Sequence, residues 1–316
     1  MKPTTSGTTQ SRDGDDPLSV PPSPLAQCET DAAQALNGIM LMQQGARPLR
    51  FTDLDDLHGA VTGMADHLSP AVGGDFDASG ISLVGSYQYA QPANAAALAM
   101  AIGVAAGIAK TQVVALGMAS ALMNLGYAGM RSSMETGSRL GNDAWTEQTS
   151  HSERSSAMVA ECGVGGDVLL AITQHHERWD GTGYPEGLRA AEISIFARVI
   201  AIADTYAALR SPRPHRGALG PRMATDFIVG GCGVLFDPEL VRTFARGIPQ
   251  YALGRWVELN TGEAGVVVDP NIGHVCRPVV RVALVKGIAV PAPFDIDLSE
   301  RAHFTRAVVE REAPGT

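Results

Sequence analysis

The strongest chemical signal in the sequence is a pair of adjacent histidines, His175 and His176, which precedes a glycine-rich turn. Imidazoles are common ligands of transition metals, and two neighbouring ones near a helix end can reach different metals of one cluster. Adjacent histidines also suit a surface turn, so the pair alone is weak evidence. Asp204 favours the metal interpretation, because it lies on a predicted apolar helix, where a carboxylate is rare unless it is paired or metal-bound.

The overall composition excludes several classes of protein. The chain has 24 basic and 33 acidic residues, and this net charge of −9 argues against a nucleic-acid polymer as partner. Hydrophobic residues make up 45% and charged ones 18%, which favours a compact fold over a coiled coil or a disordered chain. The four cysteines are too scattered for a disulfide framework or a CxxC metal site, so we expect a cytoplasmic protein.

One uncharged segment, residues 78–109, is long enough to cross a bilayer. Its apolar residues are mostly alanine and glycine, and polar residues such as Tyr87, Gln88 and Asn94 interrupt its first half. We therefore expect a closely packed core helix and no membrane span. Residues 1–24 have no basic start followed by an apolar run, so they do not resemble a signal peptide.

Hydrophobic periodicity predicts a mainly α-helical body followed by a small β module. We expect a disordered tail over residues 1–30, an N-terminal helical segment over 31–80 and the main helical domain over 81–248. Three strands are predicted in a β module over 249–290, followed by a C-terminal tail over 291–316. Within this tail, Glu300 to Thr316 looks partly helical and frayed. Within the main domain, helical patterns cover 92–108, 111–125, 145–162, 166–178, 193–210 and 221–231, and Asp237-Pro238 opens a last helix.

From Tyr87 to Arg246 the sequence resembles the HD-GYP family, bacterial enzymes that hydrolyse cyclic di-GMP on two or three metals within an HD-type helical bundle. The name-giving Gly183-Tyr184-Pro185 is intact. Further matching motifs follow in order, at residues 197–204, 211–216 and 236–241. The resemblance implies a mainly α HD-type bundle, with the small C-terminal β module that many members carry.

The same resemblance implies a retained set of metal positions, namely His151, His175, His176 and Asp204. These four residues suit one site of three or four ligands, and hence at most one divalent metal, Fe, Mn or Zn, per chain. The alternative is that the chain binds no metal and that the four side chains survive as a hydrogen-bonded polar core.

Other positions depart from the family pattern and leave no intact catalytic set. Gln91 replaces a histidine, Met123 and Asn124 replace the His-Asp pair, and Tyr127 replaces a lysine. The missing aspartate would bridge two metals and lower the pKa of their shared water, a charge that the neutral amide of Asn124 cannot supply. The Met123 thioether is a poor ligand for Fe, Mn or Mg in an oxygen and nitrogen site. We therefore expect two-metal hydrolysis to be crippled.

The ligand-binding side of the resemblance is better preserved. Arg213 and Arg216 match basic positions that contact the substrate phosphates, to which guanidinium groups can bind in a bidentate manner. Gly183, Tyr184 and Pro185 belong to a turn that could present backbone N–H groups and an aromatic ring to a guanine. An arginine pair around a proline is also often structural, and the sequence leaves this alternative open.

Three functions remain open at this stage. The favoured one is a degenerate HD-GYP protein that binds cyclic di-GMP or a protein partner such as a diguanylate cyclase, with little or no phosphodiesterase activity. The second is a slow but active phosphodiesterase with an altered metal site. The third is a purely structural helical domain without metal or nucleotide. Homodimer formation is compatible with each of them.

Overall fold

The computed structural model describes residues 24–44, 49–68, 87–127, 149–212, 217–248, 250–251, 254–271, 274 and 276–309. The described residues up to Tyr251, together with 271, 274 and 276, form a helical unit. Residues 254–270 and 277–309 form a separate β module. The mainly α architecture with a C-terminal β module confirms the predicted fold class.

The described part of the helical unit is built from α-helices. The α-helices are α1 Pro24–Gln44, α2 Asp55–His67, α3 Tyr87–Ala105, α4 Lys110–Leu122, α5 His151–Ala160, α6 Asp167–Gln174, α7 Ile195–Arg210, α8 Pro221–Gly230 and α9 Pro238–Gly247. Short 3₁₀ turns lie at Phe51–Leu54, Leu125–Tyr127 and Ala190–Glu192.

The uncharged segment forms α3, which packs in the core between α4 and α7. Every residue from Gln91 to Gly103 is buried. The helices approach closely because a glycine faces a large side chain, and an added Cβ at Gly103 would lie only 2.6 Å from Leu116 Cδ2. Among the described residues, no helix has the length and apolarity needed to cross a membrane. The prediction of a packed core helix is therefore confirmed.

Helix α7 carries Asp204 and is tied to α9 through a buried ion pair. Asp237 caps α9, since its Oδ1 accepts a hydrogen bond from the Glu239 main-chain N–H at 2.9 Å. Its Oδ2 accepts from Arg198 of α7 at 2.7 Å. The Asp237-Pro238 sequence therefore starts the last helix as predicted, and it also fixes the helix that carries Asp204.

Helix α1 begins inside the segment that was predicted to be a disordered tail, so that prediction is wrong for residues 24–30. Cys28 is half-buried against the core, and Ala32 and Leu36 are buried on the same helix. These residues are four apart, which places them on one face of α1. The polar composition of the segment concealed this apolar stripe. Residues 1–23 and 69–80 lie outside the described residues.

The β module is one antiparallel sheet with the strand order β4-β3-β2-β1-β5. Its strands are β1 Trp256–Leu259, β2 Glu263–Asp269, β3 Val279–Val285, β4 Ile288–Asp297 and β5 Val308–Val309. The predicted C-terminal tail is therefore wrong for residues 291–297 and 308–309, which lie in β4 and β5. Pro291 and Pro293 lie in β4, and prolines are tolerated there because β4 is an edge strand of the sheet.

Candidate metal centre

Three histidines from two helices meet at one point of the helical unit. His151 is the first residue of α5, and His175 and His176 follow directly after α6. The Nε2 atoms of His151 and His175 are 3.4 Å apart. One ring nitrogen from each of the three histidines lies within 4.8 Å of the others. The structure thus brings together three of the four predicted metal ligands.

The spacing of the His151 and His175 nitrogens fits a single metal ion. Two imidazole nitrogens, each about 2.0–2.1 Å from a tetrahedral Zn²⁺, are about 3.3–3.4 Å apart. The observed separation between His151 and His175 matches this value. A donor set of three imidazoles suits Zn²⁺, Cu²⁺, Ni²⁺ or Fe²⁺ better than Mg²⁺ or Mn²⁺, which favour oxygen ligands.

The hydrogen bonding and the protonation state of His175 both suit metal binding. Its Nδ1 lies 2.7 Å from the main-chain oxygen of Ile172, and a carbonyl oxygen only accepts, so Nδ1 carries the proton and donates. The lone pair of Nε2 therefore faces the cluster. Burial lowers the pKa of His175 to about 4, which leaves the imidazole neutral near pH 7.

His176 is neutral for related reasons. Burial lowers its pKa well below the usual value, and the neighbouring His175, His151 and Arg178 lower it further. Arg178 is also largely buried, and burial lowers its own pKa, while the nearby Asp204 carboxylate acts in the opposite direction. Packing that excludes water thus favours the uncharged imidazoles that metals require.

Two tyrosines flank the histidine cluster. The Tyr127 ring stacks on His151, with centroids 4.1 Å apart and planes 11° apart. The Tyr184 ring stacks on His176 at 4.8 Å and 30°. Burial raises the pKa of the Tyr184 phenol above its usual value, so that this hydroxyl stays protonated. Tyr127, which the resemblance aligns with a family lysine, therefore covers one face of the His151 imidazole.

Asp204, the fourth predicted ligand, is not part of the three-histidine group. Its Oδ1 accepts a hydrogen bond of 2.5 Å from Gln91 Nε2, and its main-chain oxygen lies 3.4 Å from the same amide nitrogen. Gln91 is only 4% exposed, so this contact is shielded from water. The residue that replaces a family histidine thus engages the carboxylate directly.

Met123 and Asn124 lie in the turn directly after α4, and not within the helix as the sequence predicted. The turn is tied to α5, because the Ser155 hydroxyl donates to the Met123 main-chain oxygen at 2.7 Å. The Gly126 N–H donates to the Ser155 Oγ at 2.7 Å. The sequence does not single out Ser155, although this residue lies one helical turn after His151 and faces the same side of α5.

The Gly183-Tyr184-Pro185 loop folds back onto the histidine pair. The Tyr184 main-chain N–H donates to the His176 main-chain oxygen at 3.3 Å. The loop backbone also donates to the carboxylate of Glu177, a residue that the sequence argument did not single out. Arg213 and Arg216 lie outside the described residues, so their predicted contact with phosphate stays a prediction.

Comparison with known proteins identifies the family of the helical unit. Residues 81–240 match the family model of the HD domain. The chain is 33% identical over 160 residues to Cyclic di-GMP phosphodiesterase PA4108 of Pseudomonas aeruginosa, covering 50% of this chain and 38% of that protein. It is 42% identical over 83 residues to Cyclic di-GMP phosphodiesterase response regulator RpfG of Xanthomonas campestris, covering 26% of this chain and 22% of that protein.

A solved structure shares the fold. Bd1817, a HDG"Y"P protein from Bdellovibrio bacteriovorus, superposes with a TM-score of 0.51 at 12% identity, covering 74% of this chain and 73% of its own. The chain spans less than half the length of the two curated relatives. The family match over half of the chain, together with the intact Gly183-Tyr184-Pro185 loop, shows that the chain belongs to the HD-domain family, in its HD-GYP group.

Proposed function

We propose that this protein is a degenerate HD-GYP protein of bacterial cyclic di-GMP signalling, with little or no phosphodiesterase activity, that acts by binding cyclic di-GMP or a protein partner. The observation that carries this proposal is the hydrogen bond from Gln91 to Asp204. It joins a neutral amide to a carboxylate that the family resemblance assigns to the metals.

Hydrolysis by two metals needs a nucleophile that exists near pH 7. A bridging carboxylate and two cations together lower the pKa of a shared water far enough to supply hydroxide. In this chain, Met123 and Asn124 supply neither a carboxylate nor an imidazole, and Gln91 supplies an amide. Three imidazoles support one ion, which would bind at His151, His175 and His176 and supply Lewis acidity there.

Binding of cyclic di-GMP places weaker demands on the site than hydrolysis does. The two phosphates need guanidinium groups, for which Arg213 and Arg216 are the candidates. A guanine needs a stacking surface and hydrogen-bond partners, for which the Gly183-Tyr184-Pro185 loop beside His176 is the candidate. We place this function in the cytoplasm, because the four scattered cysteines give no disulfide framework.

A protein partner is the second part of the proposal. A diguanylate cyclase, or a second copy of this chain in a homodimer, would connect nucleotide binding to an output without any turnover. Two curated relatives are named as cyclic di-GMP phosphodiesterases, which supports the same signalling system.

The alternative function is an active metal-dependent cyclic di-GMP phosphodiesterase with an altered metal site. The three-histidine cluster favours it, since three imidazoles leave an open position on a tetrahedral metal, and one metal can itself lower the pKa of a bound water. Under this alternative, one ion replaces the pair of ions, and turnover is slow but dependent on His176.

One set of measurements decides between these functions. Metal content, cyclic di-GMP affinity by calorimetry and turnover by chromatography are measured on the same preparation, after loading with Zn²⁺, Mn²⁺ or Fe²⁺. We expect nucleotide binding without metal-dependent turnover. Turnover that is lost in His176→Ala and kept in His58→Ala, an exposed histidine on α2, establishes the alternative. Absence of both binding and turnover leaves a protein partner or the purely structural role as the remaining functions.

A further inference from the structure

Glu177 is a buried carboxylate, 2% exposed, that lies next to the metal centre. Its Oε1 accepts hydrogen bonds from the main-chain N–H groups of Glu186 at 2.7 Å and Gly187 at 3.1 Å. Its Oε2 accepts from the N–H of Leu188 at 3.1 Å. A buried charge is costly unless hydrogen bonds satisfy it, and three backbone donors do so here. One side chain thus holds three consecutive residues of the loop.

The loop that Glu177 holds lies directly on the backbone of the histidine pair. An added Cβ at Gly183 would lie 2.5 Å from both Glu177 Cα and the His176 main-chain oxygen. Only glycine permits this approach without moving the chain. Farther along the loop, Gly187 adopts a φ of +68°, a conformation that favours glycine and aims its N–H at the carboxylate.

Tyr184, which follows Gly183 in the loop, contacts the side chain of His176. The Tyr184 ring stacks on the His176 imidazole, and the Tyr184 N–H donates to the His176 main-chain oxygen. Tyr184 lies two residues before the first N–H that Glu177 binds. A shift of the loop at 186–188 is therefore transmitted to the Tyr184 ring, and through it to the plane of the imidazole.

We propose that Glu177 is a positioning residue of the metal centre, which acts through Tyr184 on His176. Held by the carboxylate, the loop keeps the Tyr184 ring against the imidazole and so fixes the direction of the His176 lone pair. This inference rests on the metal binding proposed above. A residue that only stabilised the fold would lower the free energy of unfolding and leave the ligand geometry unchanged.

Co²⁺ is a suitable probe, because the intensity of its visible d–d absorption reports coordination geometry without any need for activity. The full chain is stripped of metal and titrated with Co²⁺ in the wild type and in Glu177→Gln. The amide keeps one acceptor oxygen but places an NH₂ group against a loop N–H. The matched control is Glu186→Gln, an exposed carboxylate of the same loop.

We expect Glu177→Gln to bind Co²⁺ about tenfold more weakly and with an altered d–d spectrum, as is usual when a group that orients a ligand is lost. Glu186→Gln should match the wild type. Tyr184→Phe, which keeps the ring, should also match it, whereas Tyr184→Ala should shift the spectrum in the same way as Glu177→Gln. In the double variant the two losses of affinity should not add, because both act on His176.

An unchanged Co²⁺ affinity and spectrum in folded Glu177→Gln overturns the positioning role, as do fully additive losses in the double variant. Where Glu177→Gln does not fold, Glu177→Asp takes its place, since it keeps the charge and shortens the reach by one methylene. If neither variant folds, equal Co²⁺ spectra of Tyr184→Ala and Tyr184→Phe overturn the inference. A wild type that binds no Co²⁺ contradicts the proposed metal site itself. Failure of the metal site can therefore be distinguished from failure of the Glu177 positioning role.

Discussion

The amide nitrogen of Gln91 lies 2.5 Å from Oδ1 of Asp204, across the packed interface between α3 and α7. The partner of this carboxylate is the neutral Gln91 amide, which does not offer the imidazole nitrogen that a histidine would offer to a metal. We therefore expect the histidine cluster to hold one cation at most. This relationship leads to the first prediction, which concerns the number of metal ions.

Purified protein should contain at most one transition-metal ion per chain, because only three imidazole nitrogens converge within 4.8 Å of one another among the described residues. The ion should be lost in His176→Ala. Elemental analysis of the wild type and the variant measures this, and His58→Ala, an exposed histidine, serves as the control. Two or more Fe, Mn or Zn ions per chain that depend on His176 would contradict the prediction.

The metal-free protein should lose stability in mild acid because His175 is buried as a neutral imidazole. Its pKa is about 4 in the folded state against 6.5 in the unfolded chain. A lowered pKa means that the unfolded state binds more protons, so this contribution is complete above pH 6.5 and disappears as the pH falls towards 4. The shift corresponds to a contribution on the order of 3 kcal/mol.

Urea denaturation in the presence of a chelator, at several pH values between 7.5 and 4.5, measures this effect. In His175→Gln the free energy of unfolding should fall less steeply with decreasing pH, by up to about 1.4 kcal/mol per pH unit for one proton. Equal pH slopes in the wild type and the variant would show that His175 does not titrate as described.

Gly126→Ala should disturb the contact between the turn after α4 and the helix that carries His151. An added Cβ at Gly126 would overlap the main-chain oxygen of His151, and it would lie 2.9 Å from the Ser155 nitrogen. We expect a loss of about 1–3 kcal/mol in the free energy of unfolding, together with weaker metal binding. Gly59→Ala, where a Cβ meets nothing within 4 Å, is the matched control and should be neutral or stabilising.

The sequence predicted the site better than it predicted the contacts within the site. His151, His175 and His176 were named as ligands through the family resemblance, and they do converge. Their convergence cannot be read from spacing, because it depends on how α5 and α6 pack. Glu177 was missed because its carboxylate accepts hydrogen bonds from backbone N–H groups, which every sequence supplies. A carboxylate directly before a Gly- and Pro-rich loop could have indicated such a contact.

The errors in the fold have physical causes as well. Residues 24–30 are polar in composition, but Cys28 continues the apolar face of α1, and tertiary packing outweighs composition there. In β4 the prolines are compatible with a strand, because an edge strand leaves some N–H groups unpaired and their loss costs little. The core helices, by contrast, have long apolar patterns, and their existence was predicted correctly.

Cyclic di-GMP binding should depend on Arg213 and Arg216. A doubly charged ligand that approaches a net-acidic protein needs local guanidinium groups to bind its phosphates. The double variant Arg213→Ala with Arg216→Ala should bind cyclic di-GMP about tenfold more weakly or worse, as measured by calorimetry. Arg222→Ala, which removes an exposed arginine of α8 paired with Asp226 at 4.0 Å, should bind as the wild type does. Unchanged affinity in the double variant would remove these arginines from the ligand site.

Restoring the missing ligands is the most direct test of why the site is degenerate. The triple variant Gln91→His, Met123→His and Asn124→Asp supplies two imidazoles and a carboxylate in place of two amides and a thioether. The main-chain oxygen of Met123 is bound by Ser155 of the helix that begins with His151, so this turn lies against that helix.

The triple variant should bind more Mn or Fe than the wild type, measured by elemental analysis, because a carboxylate favours these metals and can bridge two of them. It should also gain measurable hydrolysis of cyclic di-GMP where packing leaves room for water. A gain of metal without turnover would identify the Tyr127 ring, stacked on His151 at 4.1 Å, as a second block, and adding Tyr127→Lys then tests that directly. A wild type as active as the triple variant would show that the His-Asp pair is dispensable, and the degenerate function proposed here would be wrong.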